Sequence, residues 1–341
     1  MRVFPVVLAT AITLSAASTF ADSTRTITDD LDRRVEIPAD PQRVVITGIE
    51  EVTAMFTSLG YVPTGMTWGY HSNVVQTLNG IGGDVGDLGQ VTIVGDSGDP
   101  DLEAIATLEP DLIVGWFRQS DDGIALLEKQ ALIAPTISIH PRFNVFGLDA
   151  YGEGAHLGER YAKQRFVASL VGLEEQFDAQ LAEYEALLAD VKARHAEIIP
   201  DLEWTFLDTF SDYTPYMYDQ EKWFTYSYNG VMSDLGIKPS DAMTNATAQG
   251  IGEEPGKGYA TVSLEVLPDY AADLIFAGRY DAEPLEDDLM LVLSQTAAHQ
   301  AGQIYRVDSN TWTYHLLQSQ IGVLKQVDEI LSAGVENLGD F

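Results

Sequence analysis

The sequence predicts an α/β protein of two similar lobes with mainly parallel sheets, bridged by one long α-helix. Three observations carry that expectation. Short local patterns recur in the same order in the two halves of the chain. Brief apolar runs alternate with helical stretches, the signature of parallel strands with both faces covered. An amphipathic stretch fills residues 174–195, between the halves.

The repeat comes first. Leu102-Glu103 is followed at Asp111 by Asp-Leu-Ile, and Leu264-Glu265 is followed at Asp273 by the same three residues, at equal spacing. Upstream, Leu59-Gly60-Tyr61-Val62-Pro63 matches Leu235-Gly236-Ile237-Lys238-Pro239. Downstream, Pro135–Ile139 and Gln303–Val307 are both short β-rich runs.

The elements then follow in order. Arg43–Thr47 reads as an apolar strand, Glu50–Leu59 as a helix stopped by Gly60, and Pro63–Trp68 as the way into a second strand. Leu102–Leu108 is a short helix, Leu112–Trp116 a buried strand, Gly123–Leu132 a helix and Pro135–Ile139 a strand. In the second half, Trp204–Thr209 is a strand, and Trp223–Leu235 contains a helix ended by Gly236. Leu264–Leu267 starts a helix, Leu274–Ala277 is a strand, Leu289–Ala298 a helix and Ile304–Val307 a strand. Leu316–Leu331 closes the chain as a helix. Between the halves, Phe177, Leu181, Tyr184, Leu188 and Val191 recur at spacings of three or four, one apolar helical face. At 1.5 Å per residue this helix is a rod of roughly 33 Å, stiff enough to allow only modest rocking between lobes. The glycines before it, up to Gly172, leave room for a shorter helix leading in. The expected organisation is a signal peptide over 1–21, an N-terminal lobe over 22–150, a bridging segment over 151–199 and a C-terminal lobe over 200–341.

Composition narrows the function. Of 341 residues, 52 are acidic and 19 basic, for a formal charge of −33. The 45% hydrophobic content supplies real cores and excludes a disordered acidic chain. So negative a surface repels nucleic acid, and no nucleic-acid partner is expected. The absence of cysteine excludes disulfides, thiolate metal sites, a cysteine nucleophile and a lipid anchored on cysteine. Arg2, the apolar Val6–Ala17 stretch and the small residues of Ser18–Ala21 read as a secretory signal peptide cleaved after Ala21. The expectation is a soluble, exported, monomeric protein of the periplasm, without a lipid tether.

Several motifs together resemble one family. They are Pro100–Ile113 (Pro-Asp-Leu-Glu, then Pro-Asp-Leu-Ile), Asp40-Pro-x-Arg-Val-Val45, Ala134-Pro-Thr136 and Val262-Ser-Leu-Glu265. They are similar to the periplasmic substrate-binding proteins of ABC importers for ferric siderophores, haem and cobalamin. The resemblance runs from about Asp29 to the C-terminus. It implies two α/β lobes bridged by a helix, a ligand cleft between them, and a permease with its ATPase as partner. It also implies that a surface glutamate on each lobe docks onto arginines of the permease, a role that falls on Glu103 and Glu265. Asp101 and Ser263 are N-cap residues two positions earlier, so each glutamate sits in a first helical turn. The helix dipole favours an acid there by about 0.3–1 kcal/mol, which explains either one but not their matched position.

In open α/β sheets ligands bind beyond the carboxyl ends of the strands. Those ends hold Trp68, Tyr70 and His71; Trp116 and Arg118; Arg142; Tyr213, Tyr216 and Tyr218; Arg279 and Tyr280; and Trp312. Rings supply contact area and guanidinium groups bind oxygen anions. In a chain so poor in arginine, three arginines just past strands point to an anionic ligand. A ferric siderophore-type complex fits this mixture best, and the protein itself needs no cofactor. Haem would need an axial ligand, for which His71 or Tyr280 is available; cobalamin needs fewer arginines. The six histidines show no close pairing, which argues against a bare-metal receptor. An exported hydrolase is the rival class. No Gly-x-Ser-x-Gly, His-Glu-x-x-His or phosphate loop is present, and the glycine-rich 80–89 stretch carries Asp84 and Asp87 where a phosphate loop needs a lysine.

Overall fold

A computed structural model describes residues 23–68, 91–140, 161–209, 215–218, 226–253, 259–279, 287–314 and 316–333. The expected signal peptide and the glycine-rich 80–89 stretch lie outside the described residues.

Two sheets organise the chain. A small antiparallel hairpin, β1 (Thr24–Thr28) and β2 (Arg34–Pro38), precedes them. The first sheet contains β3 (Val44–Thr47), β4 (Gly65–Trp68), β5 (Thr92–Asp96), β6 (Asp99–Pro100), β7 (Leu112–Gly115) and β8 (Thr136–Ser138). Their spatial order is β6-β5-β4-β3-β7-β8, parallel except for β6. The second contains β9 (Glu203–Thr209), β10 (Pro215–Tyr218), β11 (Lys238–Pro239), β12 (Tyr259–Thr261), β13 (Leu274–Arg279) and β14 (Ile304–Asp308). Its order is β12-β10-β9-β13-β14, with β11 also on β9. Strands β9, β11, β13 and β14 are parallel, while β10 and β12 form an antiparallel edge that the sequence did not announce. The central strands β3, β7 and β13 are buried along their whole length, as their unbroken apolar runs require.

The repeated residues do the same work in both lobes. The Asp111 carboxylate accepts the backbone N–H groups of Gln42 (2.8 Å) and Arg43 (2.9 Å), just before β3. The Asp273 carboxylate accepts the N–H of Glu203 at the start of β9 (2.9 Å). Each Asp-Leu-Ile therefore opens a central strand and pins the beginning of its neighbour. Gly60 and Gly236 both sit at positive φ (84° and 88°), each just after a helix, where an L side chain is strained.

The bridging helix spans Glu174–Arg194. Phe177, Tyr184 and Val191 are fully buried, and Leu181 and Leu188 are packed against the core at its border. Glu174 and Glu175 in its first turn and Lys192 and Arg194 in its last complement the helix dipole. It is fastened at both sides. Gln180 donates to the Ser58 carbonyl (2.6 Å), just beyond the helix Glu50–Thr57. The Tyr184 hydroxyl donates to Asp234 (2.6 Å) and Lys192 to the Asp234 carbonyl (2.7 Å), in the helix Ser227–Leu235. One apolar cluster runs from Val44 through Tyr184 to Trp204, so the bridge shares its core with both sheets.

Three local readings change. Leu264–Tyr270 is a 3-10 segment, because Pro268 removes an N–H and blocks α-helical continuation. The expected Leu289–Ala298 helix divides into Asp287–Leu293 and Ala297–Gln300, the second capped by Thr296. The helix Asp241–Gln249, with Ser240 as its N-cap, was not anticipated.

The C-terminal helix Leu317–Ser332 docks on the bridge through Asp328, 2.8 Å from Arg194 and 2.9 Å from His195. Burial pulls the Asp328 carboxyl up, but the hydrogen bonds and charges of Arg194 and His195 outweigh it and hold it below the ordinary value of 3.8. A depressed carboxylate adds stability above its unfolded value and loses it as pH falls through the folded one. Asp328→Asn is therefore expected to melt below the parent at pH 7, with the difference closing below about pH 4. Thermal melts of both proteins from pH 7 to pH 3 check this; a gap that widens in acid contradicts the assignment.

Candidate functional site

Chain direction locates a crevice before any side chain is considered. From β3 the strands proceed one way to β4 and β5, and from β7 the other way to β8. Right-handed crossovers put the intervening helices Glu50–Thr57 and Asp121–Ala131 on opposite faces. The carboxyl ends of β3 and β7 therefore form a topological switch point, where open α/β sheets bind ligands.

A cavity of about 550 Å³ lies there. Gly48 and Ile49 after β3, Ser97 and Gly98 after β5, Asp99 at the start of β6, and Trp116–Arg118 after β7 line it. Ser120, Gly123 and one face of the helix Asp121–Ala131, made by Asp122, Ala125, Leu126 and Lys129, complete it. Gly48 has φ +97°, and a Cβ there would lie 3.0 Å from the Trp116 nitrogen, so the two strand ends approach as closely as glycine permits. The Arg118 guanidinium lies over the Trp116 ring, 5.7 Å from its centroid. The His140 ring meets Trp116 edge-on at 5.4 Å. Two cations, two carboxylates and a half-buried indole thus face one space.

Of the expected ligand residues that are among the described residues, the structure brings together Trp116 and Arg118. Trp68 ends β4; its carbonyl accepts the Ser97 N–H (2.7 Å) and its ring is packed at the border of the core, outside the cavity lining. Arg279 ends β13 in register with Thr209 and Asp308, and is only 7% exposed. Tyr216 and Tyr218 belong to β10, so the expected loop after β9 returns as an antiparallel strand. Trp312 is corrected outright. It lies on a short helix, Ser309–Thr313, at 0% exposure. Its ring packs on Phe276 (4.6 Å) and Phe206 (6.1 Å), and its indole N–H donates to Gln326 (2.6 Å). Apolar rings on β9 and β13 draw that indole into the core. Tyr70, His71, Arg142, Tyr213 and Tyr280 lie outside the described residues.

Sequence reasoning missed Gly48, Asp99, Asp122 and Lys129. Asp122, Ala125, Leu126 and Lys129 recur at helical spacing, a signal that a helix after β7 presents one face to the crevice.

Glu103 is exposed in the first turn of the helix Leu102–Thr107, where Asp101 accepts the N–H groups of Glu103 (3.0 Å) and Ala104 (2.9 Å). Glu265 is exposed in the first turn of the 3-10 segment, and there Ser263 makes no side-chain cap. Both segments lead back into a parallel strand, β7 or β13, so both glutamates stand toward the carboxyl edge of their sheets. Among the described residues no helix is long and apolar enough to cross a membrane, and no cluster of His, Asp or Glu is placed to hold a metal ion.

Residues 66–311 match the family described as periplasmic binding protein. The chain is 25% identical over 292 residues to the Fe(3+)-citrate-binding protein YfmC of Bacillus subtilis, covering 83% of this chain and 78% of that one. It is 26% identical over 279 residues to the iron(3+)-hydroxamate-binding protein FhuD of Bacillus subtilis, covering 80% and 76%. Among solved structures, it resembles a FhuD-fold periplasmic binding protein component of a Fep/Fec-like ferrichrome ABC transporter from Bacillus subtilis. The TM-score is 0.61 at 22% identity, over 87% of this chain and 97% of that one, a likeness that establishes the two-lobe fold.

Proposed function

The chain belongs to the periplasmic binding protein family, and from that premise we propose that it captures a ferric siderophore-type chelate and delivers it to an inner-membrane ABC permease. The observation that carries the reading is the cavity at the β3/β7 switch point, with Arg118 held over Trp116 and Lys129 on the adjoining helix face. A ferric chelate is bulky and ringed by oxygen atoms. The indole offers contact area and the two cations offer donors to carboxylate or hydroxamate oxygen. The relatives named for ferric citrate and ferric hydroxamate support an iron complex over haem or cobalamin.

Binding is enclosure between the lobes, with no chemical step. The bridging helix shares its core with both lobes, so closure is a small rocking. Trp68, Arg279, Tyr216 and Tyr218, with Tyr70, Arg142, Tyr213 and Tyr280, remain proposed ligand residues. The protein works as a monomer in the periplasm after removal of the 1–21 segment, and it has no cysteine to carry a lipid. Glu103 and Glu265 dock it on the permease, a role supported by their exposure and by their equivalent places at the two carboxyl edges.

Intrinsic fluorescence tests the ligand. Titration with ferric citrate, ferric hydroxamates, ferric catecholates, haem and cobalamin is expected to quench emission saturably with an iron chelate. Response to cobalamin alone overturns the reading. Arg118→Ala is expected to weaken an anionic chelate about tenfold or more, since a hydrogen bond to a charged group contributes about 1.5–3 kcal/mol. Competition titrations against a neutral chelate, whose affinity should change far less, check the charge dependence.

A further inference from the structure

The hairpin of β1 and β2 has no core of its own, yet its turn carries a buried ion pair. Asp30, in that turn, donates its N–H to the Ser138 carbonyl at the end of β8 (3.0 Å). Its Oδ2 accepts the backbone N–H of His140 (2.6 Å) and also receives the Lys163 ammonium, from the helix Ala162–Leu170. The Asp30 and Lys163 side chains are 9% and 6% exposed. Burial pushes the Asp30 carboxyl up and the Lys163 amine down, the directions expected when water is withdrawn from both. A buried pair of this kind adds little net stability over an apolar pair of similar size, so stability alone accounts poorly for its presence.

Its position has a clearer consequence. The same carboxylate oxygen that holds Lys163 fixes the backbone of His140. The His140 ring abuts Trp116, and Trp116 lines the cavity beneath Arg118. Asp29, the preceding residue, accepts the Ser138 N–H (3.0 Å) and so fixes the same strand end. The helix that carries Lys163 packs on the bridging helix and on Glu50–Thr57. A run of direct contacts thus joins the segment that leads into the bridge to the aromatic wall of the site.

We propose that the buried Asp30–Lys163 pair is a positioning element of the chelate site: it sets His140, and through it the Trp116 ring. The effect on ligand rests on the reading of the cavity given above, whereas the effect on Trp116 does not. The test replaces the pair by an apolar one, Asp30→Leu with Lys163→Met, which removes the acceptor for His140 without leaving a lone buried charge. Two quantities are read. One is the near-ultraviolet circular dichroism band of Trp116, isolated by subtracting the spectrum of the same background carrying Trp116→Phe. The other is the Kd for ferric citrate and for a ferric trihydroxamate. The band is expected to collapse and the Kd to rise about tenfold, with far-ultraviolet dichroism unchanged. A folded double variant with the parental band and Kd overturns the proposal. If the parent binds neither chelate, the ligand reading fails, and the band alone decides the positioning role. If the double variant does not melt cooperatively, Asp30→Leu alone decides, because it removes the same acceptor for His140: a weakened band supports the proposal and a parental one overturns it.

Discussion

Reversing the charge on both lobes, Glu103→Arg with Glu265→Arg, is expected to abolish uptake of the ferric chelate and to leave its Kd at the parental value. Both side chains are exposed, and neither lines the Trp116 cavity. Exposed substitutions of this kind change stability by about half a kcal/mol or less, so the variant folds. Each glutamate stands in a first turn toward the carboxyl edge of its sheet, so a permease that grips both lobes meets both at once. Like charges brought together at an interface cost several kcal/mol, enough to reduce a working docking affinity by orders of magnitude. Uptake measured with the cognate permease, beside chelate titrations of the same protein, separates the two effects. Parental uptake removes the docking role; a weakened Kd places these acids in the site or the fold.

Trp312→Ala is expected to destabilise the protein by about 3–5 kcal/mol, the range for truncating a fully buried aromatic. The indole packs on Phe276 and Phe206, and Tyr228 stacks on Phe206 at 4.0 Å. Truncation opens a cavity in this stack and leaves the Gln326 side-chain Oε1 without its 2.6 Å donor. Denaturant unfolding of parent and variant measures the loss. Below the unfolding transition the variant is expected to bind chelate normally. The opposite pattern, parental stability with weakened binding, returns Trp312 to the ligand site.

The contrast between Trp312 and Trp116 shows what was legible. Both follow a strand, so the sequence offers one reading for the two. Phe206 and Phe276 come from strands distant in the chain, and only the parallel pairing of β9 with β13 places them around Trp312. Trp116 follows β7 at a switch point, where the sheet leaves its strand ends open. Local pattern announced the parallel strands, the bridge and the Asp-Leu-Ile repeat, because apolar periodicity and capping act over a few residues. It did not announce β10 as a returning strand, since its partners β9 and β12 are set by long-range pairing. Pro268 is visible in the sequence, and it turns the expected Leu264 helix into a 3-10 segment. Lys129 lies on a helical face whose spacing is visible locally, but only the packing of that helix beside the strand ends shows that the face borders the cavity.

The charge of −33 also acquires a place. Acids dominate the chain, and two of them, Asp99 and Asp122, enter the cavity with Arg118 and Lys129. A chelate bound there meets donors and acceptors at close range, so its affinity reflects those four groups more than the distant surface, which salt screens over about 10 Å.

Calorimetric titration of the mature protein with ferric citrate and with a ferric trihydroxamate, followed by mass analysis of the recovered ligand, tests the central claim most directly. Capture without chemistry predicts saturable heat at one chelate per chain for at least one of the two, and a chelate recovered intact. No binding heat with either, or a chelate returned cleaved, contradicts it.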